Sequence, residues 1–165
     1  MSGAAERRDP AQISGLEYLR GIASGEFPRP PMMLTMGIEG VAMEEGRAVF
    51  RVAPDERHLN TMGIAHGGLA STLCDTALGC AIHTLLPAGV GYTTLELKVN
   101  FVRPMLRGMG SVECEGKVIH LGSRVATAEA RITDGAGKVY AHATTTCLIL
   151  AGAAAPALLA DPVGG

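Results

Sequence analysis

The chain contains no tryptophan, and tyrosine and phenylalanine supply three residues each, so aromatic side chains make up only 4% of it. A few large rings cannot fill such a core. It has to be assembled from Ala, Val, Leu, Ile and Met, and a helix packed on a sheet through side chains of that size must sit close to it. Charge is sparse as well: 18% of residues are charged, the net charge is −2 and no block of one sign stands out. That leaves out the basic footprint of a DNA- or RNA-binding surface.

A long uninterrupted apolar run is also missing. The most apolar stretch, Leu69 to Leu86, is broken by Ser71, Thr72, Asp75, Thr76 and His83, which is poor material for hydrocarbon. The opening MSGAAERRDP is followed by no apolar segment of the signal-peptide kind. Both features predict a soluble cytoplasmic protein with no membrane partner. The four cysteines, Cys74, Cys80, Cys114 and Cys147, form no CxxC pair and have no histidines at metal-ligand spacing. They read as small buried apolar residues of a reducing compartment, with no disulfide and no metal. Phosphate-loop and GxGxxG dinucleotide fingerprints are lacking too.

What is present fills one domain: 165 residues, 47% of them hydrophobic, support a single core. Residues 1–9 read as a flexible N-terminus, 10–150 as the domain and 151–165, AGAAAPALLADPVGG, as a flexible tail. Ile13, Leu16, Leu19 and Ala23 repeat at helical spacing, predicting a helix from Pro10 to a stop at Gly25, and Phe27 to Pro31 reads as a Pro-rich break. Gly37 to Met43 and Arg47 to Ala53 then form a hairpin about Glu44-Glu45-Gly46. After the irregular DERHLNTMGIAHGG, Leu69 to Leu86 is long enough and poor enough in β-branched residues to be a helix, stopped by Pro87 and Gly89.

Strands follow. Leu95, Leu97, Val99 and Phe101 alternate with polar residues and are expected on one face; Val112, Cys114 and Val118 do likewise, as do Ala126, Ala128, Ala130 and Ile132. Asp134 to Gly137 is a turn, and Val139 to Ile149 a last strand. The order fits an α+β fold in which an antiparallel sheet is packed on one face by a long helix.

One residue in that helix is out of place. Asp75 lies two turns in, among Leu73, Cys74, Ala77 and Leu78, too deep to cap the helix and without a nearby lysine or arginine. Burying a carboxylate there costs free energy, so something should be gained in return. Its face also carries Gly68, Ser71, Thr72 and Gly79, small residues that leave room for a ligand or another backbone. The simpler alternative is an Asp75 that faces solvent on an amphipathic helix. Just before the helix, Gly67-Gly68 offers free backbone N–H groups at the positive end of the helix dipole, which is what an oxyanion hole requires; a tight turn would use the same two glycines. Eight positions separate Gly67 from Asp75, roughly 12 Å along one helix. One carbonyl group cannot meet both within one chain, so the pair predicts a two-fold partner and two shared sites.

The segment Asn60-x-x-Gly63-x-x-His66-Gly67-Gly68 followed by Asp75, with Asn100-Phe101-Val102-Arg103-Pro104 and Gly122-Ser123-Arg124 later on, resembles the PaaI-like group of hotdog-fold thioesterases. The resemblance spans about Met36 to Leu150. It implies an antiparallel sheet of five or six strands wrapped around one long central helix, with an N-terminal helix added here. It also implies dimers joined edge to edge through their sheets, commonly paired into tetramers, and an acyl-CoA substrate that brings its own CoA, so that no further cofactor is needed.

Carried over by position, Asp75 falls on the nucleophile or general base and Gly67 on the amide that polarises the thioester carbonyl. Asn60 falls on the residue orienting the carbonyl or the water, and Thr94 on the hydroxyl that assists the acid, with Thr93 as the alternative. His66 supports the loop, and Gly68 and Thr72 line the substrate. Arg103 and Arg124 are candidates for the CoA phosphates, since guanidinium suits phosphate. His58 and His83 lie outside the motif and read as loop or surface residues. Ala70, Ser71, Thr72 and Gly79 would admit an aryl group or a medium aliphatic chain. A hotdog enoyl-CoA hydratase or dehydratase using His66, and a non-catalytic acyl-CoA binding domain, are the competing readings.

Overall fold

The structure is a computed structural model that describes residues 8–151. Expectations for residues 1–7 and 152–165, the ends of the predicted flexible segments, lie outside the described residues.

A short 3-10 turn, Pro10–Gln12, precedes helix α1, Gly15–Ser24. The predicted helix from Pro10 to Gly25 is therefore split, and the reason is a capping box. Ser14 accepts from the Glu17 N–H while the Glu17 carboxylate accepts from the Ser14 N–H, so the helix starts afresh there. The stop at Gly25 is where the sequence put it, with φ at 86° in the left-handed region. The Pro-rich break runs into an unpredicted six-residue helix, α2, Pro31–Met36, opened by Pro31 at its first position.

β1, Glu39–Glu44, and β2, Arg47–Val52, form the expected hairpin, and the long helix α3 spans Gly67–His83. Strands β3, Gly91–Phe101, β4, Val112–Leu121, β5, Val125–Thr133, and β6, Val139–Leu150, complete one six-stranded sheet in the order β1-β2-β4-β5-β6-β3. Every pairing is antiparallel, and β1 and β3 are its edges. This is the hotdog arrangement: a sheet wrapped on one long helix, with a helix at the N-terminus.

The helix buries Leu69, Leu73, Cys74, Ala77, Leu78, Ala81 and Ile82 against the sheet, where Ala126, Ala128 and Ala130 of β5 present a low surface. Close approach follows, as the shortage of aromatics predicts. At Gly116 of β4 a methyl group would stand 2.4 Å from the Ala77 carbonyl oxygen. Cys74, Cys114 and Cys147 are buried in this core and Cys80 is half-buried, in keeping with their reading as small apolar residues. Among the described residues no helix is long and apolar enough to cross a membrane.

The alternation predicted for β5 holds: Ala126, Ala128, Ala130 and Ile132 are all buried. That predicted for β3 holds for Leu97, Val99 and Phe101 and fails at Leu95. The strand starts four residues before Leu95, and a bulge between Thr94 and Glu96 shifts its register against β6. An extra residue in one strand reverses which side chains point inward. Tyr92 and Thr94 face α3 before the bulge, and Leu97, Val99 and Phe101 after it. Leu95, expected on the core face, is 59% exposed.

Candidate active site

The Asn60 to Gly68 loop is built by its own polar groups. Asn60 Oδ1 accepts from the N–H of Met62 at 2.9 Å, and the Asn60 N–H donates to the Ile64 carbonyl at 2.8 Å, closing a tight turn. The Asn60 side-chain N–H₂ has no protein partner among the described residues. His66 caps α3: its Nδ1 accepts from the Gly68 N–H at 2.8 Å. A side chain on Gly68 would strike that ring, with its Cβ 2.9 Å from Nδ1. Gly67 is then the first residue of the helix, and its N–H has no partner among the described residues.

His58 holds the near end of this loop and is not a surface residue. It is 4% exposed, its Nδ1 accepts from the Asp55 N–H at 3.0 Å, and its Nε2 lies 3.1 Å from the Met36 carbonyl. A carbonyl can only accept, so Nε2 carries the hydrogen. The His58 carbonyl in turn accepts from the His66 N–H at 2.6 Å, which ties the cap of α3 to the end of α2.

Asp75 is half-buried, not splayed into solvent. Thr94 Oγ1 donates to its Oδ1 at 2.9 Å, whereas Thr93 is exposed on the other face of β3, so of the two threonines Thr94 meets the acid. No salt bridge reaches Asp75 among the described residues. Two thiols and a phenol lie nearby, and their protonation bears on the chemistry. Burial, followed by the charge of Asp75, pushes the Cys80 thiol up to about 12. Burial likewise raises Cys147 and holds Tyr92 well above the usual phenol range. Thiols kept protonated are poor nucleophiles, so neither cysteine is poised to react beside Asp75.

Phe101, Thr94 and Tyr92 of β3 meet Gly67, Asp75 and Gly79 of α3 in three successive contacts along one seam. Phe101 lies over Gly67, where a Cβ would come 3.1 Å from Cζ. Tyr92 occupies the space that the missing side chain of Gly79 leaves: a Cβ there would be 2.5 Å from its hydroxyl. The room expected at Gly79 is thus filled by this chain's own ring, and Ala70, 1% exposed, is in the core. Thr72 and Ser71 are half-buried on α3, with Ser71 Oγ donating to the Gly67 carbonyl at 3.0 Å. Phe101 was read from sequence as an inward strand residue and part of the family-like motif, whereas Tyr92 escaped that reading, although it stands two residues before Thr94 and so shares its face.

A cavity of about 440 Å³ opens beside the start of α3, lined by Asn60, His66, Gly67, Phe101, Arg103 and Tyr140 among others. Asp75 and Thr94 do not line it. Within one chain the structure gathers Asn60, His66, Gly67 and Arg103 on one side and Asp75 with Thr94 on the other, with roughly 12 Å of helix between Gly67 and Asp75. Arg103 is exposed and donates to the Val139 carbonyl. Arg124 is at the far end of the sheet, its carbonyl bonded to the N–H of Ile149 where β3 begins. His83, read as a surface residue, is half-buried at the end of α3 between the rings of Tyr18 and Tyr92, at 6.0 and 5.5 Å. Among the described residues no group of three His, Cys, Asp or Glu side chains is placed to hold a metal ion.

A family model described as the thioesterase superfamily matches residues 62–141. A Saccharolobus solfataricus protein named "Putative esterase SSO2140" is 34% identical over 115 residues, which cover 70% of this chain and 80% of that one. The 1,4-dihydroxy-2-naphthoyl-CoA hydrolase of Listeria monocytogenes is 28% identical over 116 residues, covering 70% of this chain and 92% of the relative. Among solved structures, the phenylacetic acid degradation-related protein of Ralstonia eutropha superposes with a TM-score of 0.72 at 25% identity, covering 79% of this chain and 98% of that one.

Proposed function

Because the chain belongs to the thioesterase superfamily and is a hydrolase of the hotdog fold, we propose that it cleaves aryl- or medium-chain acyl-CoA thioesters, with Asp75 as the reactive carboxylate. The observation that carries this reading is the half-buried Asp75, held by Thr94 at 2.9 Å inside a helix that contains no other Asp, Glu, Lys or Arg, with no salt-bridge partner among the described residues. Such a group costs stability and repays it only in chemistry or binding.

The acyl carbonyl sits at the start of α3 and accepts from the Gly67 N–H, whose donor and helix dipole stabilise the charge that grows on oxygen. Asp75 comes from a second protomer, since one helix holds the two groups too far apart. It either attacks the carbonyl carbon or takes a proton from the water that does. The C–S bond breaks, CoA leaves as the thiol after gaining a proton, and water supplies the oxygen of the product carboxylate. Asn60 offers its free N–H₂ to the carbonyl or water. His66, with Nδ1 committed to the Gly68 N–H, serves the loop, which weighs against a hydratase that would use it for proton transfer. Gly68 and Thr72 flank the acyl group.

Edge strand β3, with Leu95 and Phe101 each 59% exposed, supports a dimer joined through that edge, and pairs of dimers can follow. Arg103 flanks the Gly67 cavity and suits a CoA phosphate. Arg124 contributes to the same CoA only from a neighbouring protomer. The naphthoyl-CoA hydrolase relative supports the aryl option.

The test is thiol release from a panel of aryl, short, medium and long acyl-CoAs by the wild type and by Asp75→Asn. The variant should keep its fold and association state and lose about 10³-fold or more in kcat. Near wild-type turnover by Asp75→Asn on the best substrate would overturn the assignment. Tight acyl-CoA binding with no turnover by the wild type would favour a binding domain.

A further inference from the structure

A second cavity, of about 250 Å³, lies beside β1, the sheet edge opposite β3. Its walls are Leu19 and Ile22 of α1, Met33 of α2, Met43 of β1, Phe50 of β2 and Cys80 of α3. None of Asn60, Gly67, Asp75 and Thr94 lines it, so it is separate from the site described above. The edge strand helps to make the space. A bulge between Gly40 and Ala42 breaks the register of β1 against β2, and Gly40 puts no side chain into the chamber, where a Cβ would come 3.1 Å from Met43 Cε. Protein interiors leave few voids larger than a water molecule. An apolar cavity of roughly 150 Å³ is enough to take up benzene, so this one has room for a ring or a short alkyl chain. Met33 and Met43 suit such a body, because unbranched thioether side chains repack around different shapes. The Cys80 thiol, kept neutral by burial, adds no charge to the wall.

Charge is confined to the mouth, where Arg29 and Glu39 are both exposed. Arg29 is held from one side only: its Nη2 donates to the Ile38 carbonyl at 2.8 Å, and its other N–H donors have no protein partner among the described residues. A guanidinium anchored in this way presents a planar fork to a carboxylate. We infer that this cavity binds a monocarboxylic acid with a small apolar body, its carboxylate on Arg29 and its ring or alkyl chain among the apolar walls. The head group stays in the mouth and keeps part of its hydration, so only carbon is buried. Glu39, on the same mouth, weakens the hold on any anion. The site goes beyond the thioesterase reading and does not depend on it, although the acid that thioester cleavage releases belongs to the class the cavity takes.

The experiment titrates octanoate, octanol and octylammonium into the full-length protein with isotope-labelled methionine methyl groups. NMR locates the ligand and calorimetry gives its Kd. The methyl signals of Met33 and Met43, identified by their loss in Met33→Leu and Met43→Leu, should shift with octanoate. Met105, which lines the Gly67 cavity, reports separately on that site. Octanol and octylammonium should bind the wild type at least tenfold more weakly than octanoate. Arg29→Gln should weaken octanoate by about tenfold or more, the size of a lost charge-assisted hydrogen bond, and leave octanol unchanged; Glu39→Gln should tighten octanoate. Arg29 is exposed, so its replacement spares the core, and the wild-type methyl signals test the site without any variant. Shifts at Met105 alone, or none at Met33 and Met43 at millimolar octanoate, would overturn the second site. Octanol binding as tightly as octanoate, or an Arg29→Gln that holds octanoate like the wild type, would overturn the carboxylate on Arg29.

Discussion

Thr94 Oγ1 donates to Asp75 Oδ1 at 2.9 Å across the seam between β3 and α3. The second carboxylate oxygen has no partner among the described residues, so the threonine fixes the orientation of the group while leaving one oxygen for the substrate. Removing the hydroxyl frees the carboxylate to rotate, and a misplaced catalytic group loses about 10²-fold in rate. Thr94→Ala should therefore lower kcat by about that factor with little change in KM, and Thr94→Ser, which keeps the donor, should recover most of it. Steady-state thiol release decides the matter: wild-type kcat in Thr94→Ala would remove Thr94 from the mechanism.

The close approach of α3 to the sheet makes Gly116 a stability determinant far from any chemistry. A methyl group there would lie 2.4 Å from the Ala77 carbonyl oxygen and 2.6 Å from its carbon. Both are backbone atoms of a buried helix turn, so neither can swing aside as a side chain would. Gly116→Ala should cost about 3 kcal/mol or more, at the upper end for overpacked cores. Gly135→Ala, at a turn position with nothing within 4 Å of the added carbon, should change little. Urea unfolding of both variants tests the contrast, and equal midpoints would show that the helix rides further from the sheet.

Much of this arrangement was legible in the sequence because it rests on period and composition. Ala126, Ala128, Ala130 and Ile132 announce their face by strict alternation, and the lack of large rings foretells a helix lying low on β5 and β4. Asp75 stood out because it is the one Asp, Glu, Lys or Arg in the long helix and lies too deep to cap it. What escaped reading depends on single hydrogen bonds or single inserted residues. The Ser14 and Glu17 capping box cut one predicted helix into a turn and a shorter helix. The bulge after Thr94 made Leu95 the inserted residue and sent it outward, so the inward set of β3 before it is Tyr92 and Thr94. His58 became a buried tie between Asp55 and Met36 only because the chain folds back on itself there. The packing of Tyr92 on Gly79 is a tertiary contact, and neither residue alone signals the other.

His83 gives the fold a pH dependence that can be separated from that of the carboxylates. It sits at the end of α3 against Gly15 and between two tyrosine rings, and burial lowers its pKa from 6.5 to about 4. In the unfolded chain it takes up a proton near pH 6.5; in the folded chain it stays neutral until about pH 4. Between those values the unfolded state holds more protons, so stability falls as the pH is lowered through this window, by up to about 1.4 kcal/mol per unit. Above pH 6.5 the residue adds no pH dependence. The carboxylates held low by hydrogen bonds and ion pairs, Glu17, Asp55 and Glu115 among them, lose their contribution only at the acidic end, below about 4.5. The range from pH 6.5 to 5 therefore lies above the window of these carboxylates. Urea unfolding at fixed protein concentration should show wild-type stability declining by about 1–2 kcal/mol across that range. His83→Phe, which keeps an aromatic ring between Tyr18 and Tyr92 and cannot take a proton, should decline less steeply than the wild type. A His83→Phe profile parallel to the wild type would place the titrating group elsewhere.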